Sequence, residues 1–173
     1  MNSLQKPVVV GIDGSQEAIV AAKWAADEAI ARDVPVRLVY VKPAISMLPG
    51  NEFRTSMAEL ALRVAENAVA DQEKPVKVET AILTGPSSRG FAAKALARES
   101  RHATMLCLGA VGMGRLAGTA LGSTAGTLTR RAGCPVAIVS KRGTSASPVA
   151  AVIDPSDDAT AVSSLVGASA AAR

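Results

Sequence analysis

Residues 109–124 read GAVGMGRLAGTALGST: five glycines in sixteen residues, with one arginine, no lysine and no acid. Glycine loses more backbone entropy on folding than any other residue, so this density must be offset by something the backbone does there. With no side chains in the way, backbone N–H groups can close on an anion. Gly122-Ser123-Thr124 then opens a short helix, whose first N–H groups lack helical partners and whose dipole favours negative charge. The hydroxyls of Ser123 and Thr124 add donors. Arg115, inside the run, could reach phosphate, and could equally point to solvent or a partner chain. Far upstream, Asp13 ends an apolar run and offers acceptors suited to a ribose hydroxyl or a base amine. Phosphate at one end and sugar or base at the other is the chemistry of a nucleotide site.

Other loops and side chains narrow the choice. A Walker A loop needs G-x-x-x-x-G-K-[ST], and no Gly-Lys pair occurs in the chain. Gly112 to Ala117 satisfies G-x-G-x-x-[GA], but the following strand ends in VSK with no acid for a ribose, which argues against a dinucleotide site. Hydrolysis would require a positioned base and charge compensation beside a γ-phosphate. The glycine run offers Arg115 alone, with Ser and Thr as weak nucleophiles. The expected role is binding, with at most slow hydrolysis or self-phosphorylation and no catalytic residue. His102, the single histidine, falls at a helix end just before a strand and reads as a surface residue. Cys107 and Cys134 sit within apolar stretches and read as reduced, buried thiols. A Mg²⁺ carried in with ATP needs no all-protein cage, so no metal-ligand cluster is expected.

The elements that must position these residues follow from periodicity. VVVGID (8–13), VRLVYV (36–41), TMLCLGA (104–110) and VAIV (136–139) are short apolar runs, the pattern of strands buried on both faces. VKVETAI (76–82) alternates apolar and polar, as an edge strand does. Helices are expected over 15–32, with Ser15 as N-cap and Arg32 in the last turn, and over 53–69, where apolar residues fall at 53, 57, 60, 61, 64, 65, 68 and 69. A third should run from Gly85-Pro86-Ser87 to about Arg101. A fourth, over 123–132, ends with Arg130 and Arg131, Gly133 at C′ and Pro135 beyond. Alternating strands and helices predict an α/β, Rossmann-like fold: a five-stranded parallel sheet of order 3-2-1-4-5 with helices on both faces. The glycine run then leaves strand four beside Asp13 at the end of strand one, the crevice where ligands bind in such sheets.

Composition bounds the rest. A chain of 173 residues suggests one domain with an appendage, and with one Trp, one Tyr and two Phe its core is aliphatic. No uncharged apolar run is long enough to span a membrane, and the start lacks the layout of a secretory signal, so a cytoplasmic location is expected. Arg130, Arg131, Lys141 and Arg142 form the one basic concentration, and without aromatic stacking residues this gives little support to nucleic-acid binding.

Beyond a domain at 1–141 and a linker at 142–147, the tail 148–173 looks like the chain beginning again. Set beneath residues 7–32 it keeps Pro-Val, Ile-Asp, a Ser two residues later and a closing Arg. It reads as a partial second repeat, one strand and one helix, docked or disordered. The strand PVAAVI (148–153) could pair along VAIV, an otherwise naked apolar edge.

Taken together, VVVGIDGS, LVYV, the spacing Gly109-x-x-Gly112 with nine residues to Gly122-Ser123, and CPVAIV resemble the nucleotide-binding branch of the universal stress protein family over roughly 6–141. The resemblance implies ATP, with Asp13 and Val41 near the nucleoside and Gly109, Gly112, Gly122, Ser123 and Thr124 around the phosphates. It also implies a stress-response regulator that forms a homodimer through strand 136–140, unless the tail covers that edge.

Overall fold

The computed structural model describes residues 5–44, 51–110, 122–140 and 149–155. Strand β1 (Val8–Ile12) leads to helix α1 (Gln16–Ala31), and β2 (Val36–Pro43) to α2 (Asn51–Ala70). Then come β3 (Val78–Gly85), α3 (Phe91–Ser100), β4 (Met105–Gly109), α4 (Ser123–Arg131), β5 (Val136–Ser140) and β6 (Val149–Ile153). Ser15 caps α1 as expected, its side chain accepting from the Ala18 N–H at 3.2 Å. Arg32 falls one residue beyond the last turn and is the C-cap, its guanidinium paired with the Glu28 carboxylate.

The sheet has six strands in the order β3-β2-β1-β4-β5-β6, not five. The five expected strands are parallel in the expected order, with half-polar β3 at one edge. The correction lies at the other edge. There β6 pairs antiparallel with β5, from Val136 opposite Ile153 to Ser140 opposite Val149. An apolar strand such as β5, buried from Val136 to Val139, leaves N–H and C=O groups that need a partner, and residues 149–153 of the same chain supply it. The edge proposed for a homodimer is therefore occupied in this chain. The helix expected after β6, in 156–173, lies outside the described residues.

Alternation along the strands builds two cores. Val8, Val10, Ile12, Leu38, Cys107 and Val139 face α1 and α2, whereas Val9, Val39, Leu106, Leu108 and Ile138 face α3 and α4. Helix α1 meets the sheet through Ala18, Ala21, Ala22, Ala25, Ala26 and Ala29, a stripe small enough to bring helix and sheet close together. The two cysteines belong to opposite faces of the sheet, so they pack independently. Gly133 occupies C′ of α4, but without a left-handed backbone. A Cβ there would lie 2.9 Å from the Arg101 side chain, so glycine is required by the close approach of the α3 terminus. The Gly133 N–H donates to Oγ of fully buried Ser100 at 2.7 Å, which joins the two helix ends.

Candidate nucleotide-binding site

Strands β1 and β4 lie side by side, but α1 leaves β1 for one face of the sheet and α4 follows β4 on the other. The two connections leave on opposite faces at the carboxyl ends, the switch point where α/β sheets place ligands. Ile12 pairs with Tyr40 and Val10 with Cys107. Continuing both registers sets Val41, Asp13 and Ala110 in one row across three strands. That row spans two strand spacings, roughly 10 Å.

Asp13 is half-buried, and its Oδ1 accepts from the Ser15 N–H at 2.9 Å. The bond closes an Asx turn, with Gly14 in the left-handed region at φ 87°, and swings the chain from β1 into α1. A structural duty thus accompanies any ligand contact by this carboxylate. Val41 is partly buried and packs against the α3–α4 core. Beyond it, Lys42 Nζ donates to Thr55 Oγ1 at 2.6 Å and ties the start of α2 to the end of β2. This tie is legible in the sequence only as a lysine interrupting an apolar run.

Gly109 closes β4 opposite Val139. A Cβ on it would lie 2.8 Å from the Glu17 carbonyl carbon, so glycine here lets the first turn of α1 press against the strand. That packing requirement was not visible in the loop pattern. The far end of the glycine run returns to the same place: the Gly122 N–H donates to the Ala110 carbonyl at 2.9 Å. Gly122 is the N-cap of α4 and has no side chain to cap with. The first helical bond runs from Gly126 N to Gly122 O, so the N–H groups of Ser123, Thr124 and Ala125 precede it. Ser123 is exposed, and the first turn of α4 carries no acid.

Of the expected site residues, Asp13, Val41, Gly109, Gly122, Ser123 and Thr124 are thus brought to one end of the sheet. Gly112 and Arg115 lie outside the described residues. Among the described residues no group of three or more His, Cys, Asp or Glu could hold a metal ion, and no helix is long and apolar enough to cross a membrane. A groove of about 970 Å³, lined by Pro7, Pro35 and Lys77 among others, opens at the amino ends of β1–β3, remote from the crevice. His102 is exposed just before β4, also at the amino end. Burial pushes both thiols up, Cys134 to about 11 and Cys107 further, so neither is a nucleophile at neutral pH.

A doubly wound, mostly parallel sheet with a helix N-terminus tied to the end of β4 defines a Rossmann-like α/β protein. The universal stress protein family matches residues 5–140, and the chain belongs to that family. It is 47% identical over 135 residues to a universal stress protein of Mycobacterium tuberculosis, an alignment covering 78% of this chain and 48% of that one. The chain thus spans about half the length of the curated relatives it matches. A universal stress protein solved in complex with cAMP superposes with a TM-score of 0.57 at 27% identity, covering 80% of this chain and 98% of that one. The fold is also that of the universal stress protein from Archaeoglobus fulgidus in complex with dAMP, with a TM-score of 0.61, 22% identity and coverage of 77% and 96%.

Proposed function

We propose that the chain binds an adenine nucleotide, ATP with Mg²⁺, in the crevice between β1 and β4, and that the bound nucleotide sets its conformation or its choice of partner in a stress response. The observation carrying this reading is the bond from Gly122 N to Ala110 O, which holds the α4 N-terminus at the end of β4. Three N–H groups that precede the first helical bond, the hydroxyl-bearing residues Ser123 and Thr124, and the dipole of α4 support a phosphate at that helix end. The donor set suits an anion, because no acid lies between Gly109 and Thr124. Asp13 and Val41, one and two strands away, are set for the nucleoside, with Gly112 and Arg115 assigned to the phosphate side. The relatives solved with cAMP and dAMP support adenine as the base. Mg²⁺ supplies charge neutralisation to the phosphates and would be held chiefly by them and by water. Binding without dedicated turnover is the expected activity.

Titration calorimetry on nucleotide-stripped protein tests this, with ATP·Mg²⁺, AMP and GTP as ligands and Gly122→Val alongside. Gly122 has φ −65° and ψ 155°, which valine adopts without backbone strain, so the variant adds bulk at the start of α4 with dihedrals that remain allowed. Micromolar ATP binding that the variant loses supports the reading. Absence of heat with every nucleotide overturns it, and favours an interaction module whose tail strand, already seated on β5, does the work.

A further inference from the structure

Helix α2 carries two apolar stripes where a surface helix needs one. Ala58, Ala61, Leu62, Ala65 and Val69 are buried. Phe53, Met57, Leu60 and Val64 are not: they are 69%, 41%, 52% and 47% exposed, and all four project from one outward stripe. Their spacing is four, three and four residues, the a/d alternation of a helix–helix seam, running about 17 Å along the axis. Four large apolar side chains in one line make a contiguous exposed patch, the kind of surface feature that often marks a contact site.

We propose that α2 pairs with α2 of a second copy of this chain, antiparallel, about a two-fold axis between Ala58 and Glu59. The spacing 4-3-4 reads the same in both directions, so the stripe is complementary to itself, as a two-fold interface must be. Antiparallel pairing sets Phe53 against Val64 of the second copy, a large side chain facing a smaller one, and Met57 against Leu60, a pair of nearly equal volume. The flanks agree. On one flank Arg63 falls axially between Ser56 and Glu52 of the other copy, about 3 Å from the level of each, so Glu52 is its nearest charge there, with Glu59 on the same flank. On the other flank Arg54 faces Ala61. Glu52, Glu59 and Glu66 recur every seven residues beside the seam, which disfavours an anionic membrane surface as the partner. This route leaves the β5 edge free for β6, because α2 packs over β2 and β3 at the other side of the sheet. Four side chains a side fall at the small end of stable interfaces, so the dimer is a micromolar, concentration-dependent one.

Sedimentation velocity of the full chain from about 1 µM to about 1 mM reads this directly. A reversible monomer–dimer equilibrium is expected, weakened about tenfold or more by Leu60→Glu, with the thermal midpoint of the monomer unchanged because Leu60 faces outward. Arg63→Glu should weaken it too, and Glu52→Arg combined with Arg63→Glu should restore it. A chain that stays monomeric throughout overturns the proposal. So does a dimer that ignores Leu60→Glu, and so does failure of the charge exchange to restore association.

Discussion

At the scale of single residues, two glycines of the same run are required for different reasons. Gly109 is a packing glycine, because a Cβ would meet the backbone of Glu17. Gly109→Ala should therefore lower stability by about 1–3 kcal/mol, read from urea unfolding, whether or not nucleotide is present. Gly122→Val should leave the unliganded midpoint unchanged and abolish binding. Ser100 presents the converse case of a buried hydroxyl satisfied twice, donating to Ala97 O at 2.8 Å and accepting from Gly133 N at 2.7 Å. Ser100→Ala strands the Gly133 N–H, and a loss of about 1–3 kcal/mol is expected in the same assay. Cys134 sets a pH dependence. Its thiol, raised by burial from 9.0 to about 11, stays protonated when folded and ionises when unfolded. Its contribution is whole below pH 9.0 and is lost as pH climbs from there toward about 11. Cys134→Ala should flatten that alkaline decline in stability, measured by unfolding at a series of pH values.

Among the elements, β6 has the largest consequence. It covers an edge whose residues Val136 and Val139 are wholly buried, yet it contacts the rest of the structure mainly through β5, and its own Ala151, Val152 and Ile153 remain half-exposed. A chain ending at Ser140 should expose the β5 edge and associate through it, giving a larger species by light scattering than the full chain at equal concentration. A monodisperse monomer from that truncation would mean that β5 tolerates a bare edge. The local signals that placed β1 and α1 were sound because each was self-contained, an apolar run at 8–13 and a capping serine at 15. The strand expected at 76–82 instead lies at Val78–Gly85, and the helix expected from Gly85 begins only at Phe91, because Gly85 still pairs with Pro43 in the sheet. The signals of α2 were not self-contained. Apolar positions 53 through 69 merge an inner and an outer stripe, and periodicity alone cannot say which of them meets the sheet.

At the scale of the molecule, ligand and fold are linked. A nucleotide that binds only the folded chain stabilises it by about 2.7 kcal/mol at a hundred times its dissociation constant. ATP·Mg²⁺ should raise the thermal midpoint of the wild type and leave that of Gly122→Val where it was. The crevice is assembled from β1, β2, β4 and the start of α4, segments far apart in the chain, so binding should protect amides across the whole sheet centre in hydrogen exchange.

Sequence alone determined the order of the five parallel strands, the alternation of helices between them, and the family. These rest on short-range patterns and on the handedness of parallel crossovers, which leave little freedom to the topology. Tertiary structure decided what no local pattern encodes: that residues 149–153 turn back antiparallel onto β5, that Gly109 and Gly133 are needed where another backbone or side chain comes within 3 Å, and that one stripe of α2 is left facing outward. Each is a statement about which neighbour fills a given space. An apolar residue records only that it avoids water, so its partner exists only once the chain has closed on itself.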